Sequence, residues 1–221
     1  MSIKQLFKES HQHSKTYYIL DNIFSAVTHG IGFSLSIAGL VILIVQAAQT
    51  GNPIRIVSFT LYGTSLVLLY LFSTLYHSLV FTRADKVFQI FDHSSIFILI
   101  VGSYMPYTLV TIGGAKGWWM FGLILAMAII GILYYILIPG NHIIFNTLIY
   151  IGMGWLVVVA LGTLYNALGH TGFWLLVWSG ISYTVGAILY CLRRIPFIHV
   201  IWHLFVMLGS ILMYFSILLY V

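Results

Sequence analysis

Residues 73–93 read STLYHSLVFTRADKVFQIFDH and pass from one apolar run, through a short charged turn, into the next. On a helix, Ser73 and His77 share one face, because residues four apart lie one turn above each other. Asp92 and His93 follow about a turn and a half into the second run. A tight hairpin at the charged turn would therefore bring Asp92 to the same depth as His77.

A second polar stretch lies near the end of the chain. In PFIHVIWHLF, residues 196–205, His199 and His203 are again four apart and share a helical face. Pro196 favours the start of a helix, because its fixed φ suits the first helical position. Both histidines then fall in the first two turns, and we expect this stretch to meet the first one.

The composition predicts an integral membrane protein. Hydrophobic residues make up 61% of the 221 positions and charged residues only 6%, and the mean hydropathy is +1.05. Soluble domains carry about 25% charge. We predict an all-α protein with a tail at 1–22 and a seven-helix transmembrane domain at 23–221, since each apolar run can cross a core of about 30 Å. The predicted spans are 23–48, 56–80, 88–111, 118–138, 143–165, 173–191 and 198–220.

The basic residues predict the orientation. Lys and Arg number nine against four acids, and cytoplasmic loops of membrane proteins carry the excess of positive charge. With a cytoplasmic N-terminus and an external C-terminus, only Arg55 and Lys116 lie outside. No basic patch with interleaved aromatic residues is present, so nucleic-acid binding is not expected. The residues then placed inside are Lys4, Lys8, Lys15, Arg83, Lys86, Arg193 and Arg194.

This orientation, which rests on Lys and Arg alone, also places the polar residues of both stretches at the cytoplasmic face. An ionisable group deep in a bilayer costs about 2.5–3.5 kcal/mol on insertion scales, so its usual explanation is functional. Three neutral imidazoles can hold zinc and leave a fourth position open. We therefore predict a Zn²⁺ site with His77, His199 and His203 as ligands.

Two further residues suit catalysis at such a site. Asp92 is the only acidic side chain predicted inside the membrane, so it is the candidate general base for a water molecule. Ser73 could orient that water or the developing oxyanion. Two alternatives stay open: the histidines could bridge helices by hydrogen bonds, and Asp92 could pair with the N-terminal dipole of its helix.

Other polar or helix-breaking residues have less specific readings. His29, within THGIG, could be satisfied between helices or could support the ligands. His93 points to another helix face than Asp92 and is expected to support the site or to pack. Pro106 should kink its helix near Tyr104. His142, in the PGNH turn, is expected in an interfacial loop.

At these residues the sequence resembles the hemolysin III family, the bacterial branch of the progestin and adipoQ receptor group. The resemblance implies seven helices, a cytoplasmic N-terminus and zinc held by the histidines matching His77, His199 and His203. Asp92 and Ser73 match the other polar members of the motif. The receptor branch is credited with ceramide amide hydrolysis, and the bacterial branch was named for lysis of red cells. The matching segments are THGIG, Ser73-x-x-x-His77, FDHSSIF and His199-x-x-x-His203.

Three functions follow as hypotheses. The first is a zinc-dependent hydrolase of a lipid amide or ester, with substrate entering sideways from the bilayer. The second is a lytic or pore-forming protein, which would need polar residues along the full depth of the bundle. The third is a receptor or regulator of membrane state in which zinc only joins helices. Each fits a multi-pass protein of a bacterial plasma membrane, and the sequence does not specify its oligomeric state.

Overall fold

The computed structural model describes residues 15–138, 143–192 and 195–221, and every regular element in these ranges is helical. The predicted tail up to residue 14, the PGNH turn and Arg193 with Arg194 lie outside the described residues. The elements are α1 Lys15–Gln49, α2 Pro53–Ser78, α3 Asp85–Met105, a π-helix Pro106–Ile112, α4 Gly114–Leu137, α5 Ile143–Trp155, a 3-10 helix Leu156–Ala160, α6 Leu161–Tyr190 and α7 Ile198–Tyr220.

The all-α prediction is confirmed. In the described ranges, six helical segments are long and apolar enough to cross a membrane. One of them, Ile143–Tyr190, has 48 residues and covers two of the predicted spans. The first helix begins at Lys15, ahead of the predicted span start at residue 23.

The long segment Ile143–Tyr190 folds back on itself at Gly169. This glycine has φ 66° and ψ 178°, non-helical values that residues with a Cβ rarely adopt. Three contacts join residues about equally far from it on either side: Thr147 with Cys191, Trp155 with Thr184, and Tyr165 with Phe173. In one straight helix Thr147 and Cys191 would be about 66 Å apart, so the chain reverses direction here.

The helices pack in chain order and the last returns to the first. Large contact surfaces join α1 to α2, α2 to α3 and α6 to α7, and α7 also packs against α1. Small polar residues such as Ser25, Ser95 and Ser179 are fully buried, while apolar side chains such as Ile130, at 65% exposure, face outward. This distribution is typical of helices that face lipid, where small residues allow close interhelical packing.

The predicted kink at Pro106 takes the form of a change in helix type. The α3 helix ends at Met105, and a π-helix begins at Pro106. Proline lacks the N–H that an α-helix would use there. Tyr104 joins this region to the start of the 3-10 helix, because its hydroxyl donates to the Met153 carbonyl at 2.8 Å and accepts from the Val157 N–H at 2.8 Å.

The start of α7 is held by α1. Phe197 precedes α7 with φ 56°, a left-handed conformation that costs free energy in a residue with a side chain. The Phe197 N–H donates to Tyr17 Oη at 2.8 Å, and its ring packs against Tyr17 at 4.9 Å and Phe24 at 5.9 Å. These contacts fix where His199 enters the interior.

Candidate metal centre

His77, His199 and His203 lie together in the interior. Each offers one ring nitrogen, and these nitrogens all lie within 4.8 Å of one another. His77 ends α2, whereas His199 and His203 occupy the first two turns of α7. The Nε2 atoms of His77 and His199 are 3.0 Å apart. The structure therefore brings together the three residues that the sequence predicts as ligands.

The orientation of His77 is fixed by Asn22 of α1. Asn22 Nδ2 donates to the Tyr18 carbonyl at 2.8 Å, so its Oδ1 faces the imidazole. An amide oxygen only accepts, and therefore His77 Nδ1 carries the proton and donates to Asn22 Oδ1 at 2.9 Å. The lone pair of His77 is then on Nε2, the nitrogen that faces His199. Asn22 is itself buried.

His203 is oriented in the same way by another residue of α1. Its Nδ1 lies 3.3 Å from the Ser25 carbonyl oxygen, which can only accept, so Nδ1 carries the proton. The Thr28 hydroxyl lies 3.4 Å from the same nitrogen. The Nε2 lone pair of His203 is therefore available as a ligand. Backbone carbonyls commonly orient metal-binding histidines in this way.

The donor set fits a zinc ion. Two nitrogen ligands at about 2.0–2.1 Å from a tetrahedral ion are roughly 3.3 Å apart, close to the 3.0 Å between His77 Nε2 and His199 Nε2. Two of the three imidazoles have their other nitrogen committed to an acceptor. Among the described residues, no carboxylate belongs to the ligand group. Three neutral nitrogens are the set expected for a site with an open position.

The predicted catalytic residues lie beside the histidines on the wall of the same cavity. Asp92 is mostly buried, and its Oδ2 is 3.7 Å from His93 Nδ1. Ser73, 1% exposed, presents its hydroxyl towards the Asp92 carboxyl, although strict hydrogen-bond geometry is not met. His93 donates from Nδ1 to the Gln89 carbonyl at 3.0 Å and stacks on Tyr135. His93 thus packs beside Asp92 and lies outside the ligand group.

The cavity connects the histidines to a charged mouth. Its volume is about 1060 Å³, and His77, His199, His203, Asp92 and Ser73 all line it. Its deeper wall is apolar and aromatic. A lipid could therefore place its polar part near the histidines and its chain in the deeper part. The mouth is lined by Asp21, Arg83, Asp85 and Lys86, and the deeper wall by Tyr107, Val157, Leu176 and Met213.

Comparisons with known proteins show the family of this chain. The family model described as haemolysin-III related matches residues 17–214. The chain belongs to this haemolysin-III-related family. Hemolysin-3 of Bacillus cereus is 47% identical over 206 residues, 93% of this chain and 94% of the relative. The Hemolysin-3 homolog of Bacillus subtilis (strain 168) is 43% identical over 204 residues, 92% and 96% of the two chains.

A more distant relative of this haemolysin-III-related protein is the human monocyte to macrophage differentiation factor. The two are 26% identical over 163 residues, which cover 71% of this chain and 67% of the relative. The recognised resemblance to the hemolysin III family is thus confirmed, and its extent includes every residue of the candidate site. The chain is a membrane protein of this family.

In this haemolysin-III-related protein, α1 contributes more to the site than the supporting role expected for His29. Tyr18, Asn22, Ser25 and His29 follow one another at intervals of three or four residues, the spacing of one helical face. Asn22 and Ser25 orient two of the histidines, and the His29 ring stacks on His203. The polar stripe was visible in the sequence. Only packing against α2 and α7 gives it a role.

Proposed function

We propose that this haemolysin-III-related protein binds Zn²⁺ through His77, His199 and His203 and hydrolyses an amide or ester of a membrane lipid. The observation that carries the proposal is the orientation of two imidazoles. Asn22 and the Ser25 carbonyl take the Nδ1 protons of His77 and His203, so both Nε2 atoms are left as donors to a metal. A cluster that only bridged helices through these bonds would not need one nitrogen of each of the three histidines to lie within 4.8 Å of the others.

The side chains around the cluster suit hydrolysis. When bound, zinc supplies a Lewis acid and lowers the pKa of a coordinated water to about 7. Asp92 accepts a proton from the attacking water and returns it to the leaving amine or alcohol. Ser73 donates a hydrogen bond to the carbonyl oxygen as negative charge develops there. Both residues line the cavity that holds the histidines.

The substrate class follows from the shape and lining of the cavity. Its charged mouth suits a polar head group, and its apolar depth suits a hydrocarbon chain. The scissile amide or ester would then lie between them, beside the histidines. Entry from the bilayer would bring the lipid to the site without carrying its chain through water. The ceramide-type amide implied by the family resemblance belongs to this class.

We further propose seven crossings, with the N-terminus in the cytoplasm of a bacterium and the C-terminus outside the plasma membrane. The reversal at Gly169 supports two crossings within Ile143–Tyr190, because the parts before and after it each exceed the roughly 20 residues that a span needs. Gly113, where the chain passes from the π-helix into α4, has similar dihedral angles, with φ 62° and ψ −171°. Bacillus relatives support a bacterial plasma membrane.

The first experiment is the measurement of zinc bound per chain in purified protein. We expect near-stoichiometric zinc in the wild type and its loss in His77→Ala, His199→Ala and His203→Ala, because two nitrogens hold the ion far less well than three. Asp92→Ala should keep zinc and lose hydrolysis of a lipid amide. The matched control is His170→Ala, since His170 is an exposed histidine outside the ligand group.

The outcomes separate the three functional hypotheses. Zinc retained with hydrolysis of ceramide vesicles supports the hydrolase. Zinc that is bound by the wild type but lost in Asp92→Ala would indicate that Asp92 is a fourth ligand. That result would favour a site that only joins helices. A wild type that binds no zinc would contradict the proposal and would return the cluster to interhelical hydrogen bonding.

A lytic function is the second candidate, favoured by the name Hemolysin-3 of the Bacillus cereus relative. Dye release from vesicles would test it. If lysis reflects hydrolysis of lipid, Asp92→Ala should abolish dye release together with hydrolysis. If lysis is a separate activity of the bundle, Asp92→Ala should release dye as fast as the wild type.

A further inference from the structure

His29 is a buried histidine beside the cluster whose polar atoms are not used by the protein. It lies on α1, is 3% exposed and lines the cavity. Neither of its ring nitrogens has a hydrogen-bond partner among the described residues. Buried imidazole nitrogens are nearly always hydrogen-bonded, because an unpaired buried polar atom costs free energy. These two nitrogens therefore call for a partner that enters the cavity.

The ring of His29 is held in a defined position. It stacks on His203 with centroids 3.4 Å apart and an interplanar angle of 13°. Tyr70 also contacts the ring, with centroids 5.0 Å apart and the two planes nearly perpendicular at 89°. A parallel stack sets the edge of His29 one ring thickness from the edge of His203. The nitrogens of His29 are thus next to the cluster, yet His29 is not in the group of possible ligands.

Packing alone does not account for a histidine here. A phenylalanine could stack on His203 and contact Tyr70 without burying two unpaired nitrogens. Imidazole offers an N–H donor that phenylalanine lacks. Ser73, also buried, lines the same cavity with its hydroxyl beside the Asp92 carboxyl. His29 thus adds an unpaired polar group to the cavity that Ser73 and the three histidines also line.

We propose that His29 donates a hydrogen bond to the carbonyl oxygen of the lipid substrate and stabilises the negative charge that develops on it. This role rests on the proposed hydrolase function. It gives the site a donor from α1 in addition to Ser73 from α2. Donors fixed before the substrate arrives stabilise a developing oxyanion most effectively, because they need no reorganisation. The stack on His203 supplies that fixation.

The test compares two probes on zinc-loaded protein in detergent. Dodecanoyl hydroxamate binds zinc and carries a carbonyl oxygen, whereas dodecanethiol binds zinc and carries none. His29→Phe keeps the stack and removes the donor, so we expect unchanged zinc content, at least tenfold weaker hydroxamate binding and unchanged thiol binding by calorimetry. His29→Gln, which keeps an N–H donor, should recover part of the hydroxamate affinity and guards against an effect of altered packing.

Several results would overturn this role. Unchanged hydroxamate binding in His29→Phe would show that the nitrogens do not meet the carbonyl. An equal loss for both probes, or loss of zinc, would show that His29 acts by shaping the metal centre. Failure of the proposed function is a different result: the wild type would bind no zinc and neither probe, and the role of His29 would fall with it.

Discussion

Two of the three histidines in the cluster are oriented by neighbouring residues that lie outside the group of possible ligands. The sequence predicts His77, His199 and His203 as zinc ligands. The prediction rests on the i, i+4 spacing of the polar residues and on their matched depth in the membrane. It did not predict that Asn22 and the Ser25 carbonyl would fix the ring protons. The rotation of α1 about its axis is set by packing against α2 and α7, and spacing within α1 alone does not reveal it.

Asn22 provides a test at this scale. In Asn22→Leu the Nδ1 proton of His77 loses its acceptor, and we expect zinc affinity to fall by about 10–100-fold, the range for lost supporting contacts. Asn22→Asp keeps an acceptor oxygen and should retain most of the affinity. Competition with a chromophoric chelator measures both values.

The matched control for Asn22 is Asn146→Leu. Asn146 is equally buried and lines the same cavity, but its contacts do not include the cluster. Its replacement should leave zinc affinity unchanged. Equal affinity in Asn22→Leu and the wild type would show that the acceptor does not tune the centre.

Single glycines set how closely the elements pack. The break between predicted spans at 165 and 173 contains Gly169, so the sequence did locate the reversal within Ile143–Tyr190 to a few residues. It predicted a kink at Pro106 but not a π-helix, because widening of a helix depends on which neighbouring segments pack against the widened turn. Gly117 illustrates such a neighbour, since its α-carbon packs against the Thr108 carbonyl of the π-helix.

A glycine pair in α4 tests this packing. A Cβ at residue 117 would overlap the Thr108 carbonyl oxygen, a backbone atom that cannot rotate away. We expect Gly117→Ala to destabilise the protein by about 1–3 kcal/mol, as overpacking does. Gly122→Ala, with nothing within 4 Å of the added carbon, should be neutral or stabilising by up to about 1 kcal/mol.

Thermal unfolding in detergent compares these two variants directly. Both replacements add the same methyl group to the same helix, so helix propensity cancels between them. Similar melting temperatures for Gly117→Ala and Gly122→Ala would contradict the close contact between α4 and the π-helix.

In the whole molecule, each helix packs against the next one along the chain, and α7 packs against α1. The candidate site lies at one end of this bundle. The sequence predicted the all-α class because the apolar runs are long and charge is scarce. The closure of α7 on α1 involves residues far apart in the chain, such as Tyr17 and Phe197. Periodicity within single runs does not specify which distant helices meet.

The proposed topology can be tested by labelling. Cys191 is the only cysteine, so Cys191→Ser provides a background for single cysteines at Thr82 and Val221. With a cytoplasmic N-terminus and seven crossings, a membrane-impermeant maleimide added to intact cells should label Val221→Cys but not Thr82→Cys. Both should react after lysis. Protection of both positions in intact cells would indicate an even number of crossings.

The closure of α7 on α1 also constrains how the protein is made. The ribosome delivers Asn22 and His77 early, but His199 and His203 enter the membrane only with α7. During synthesis, therefore, the polar face of α1 and the end of α2 are in the bilayer before His199 and His203 of α7 can pack against them. A chain truncated before residue 199 would therefore lack two of the three proposed zinc ligands, and we expect it to bind no metal at this site.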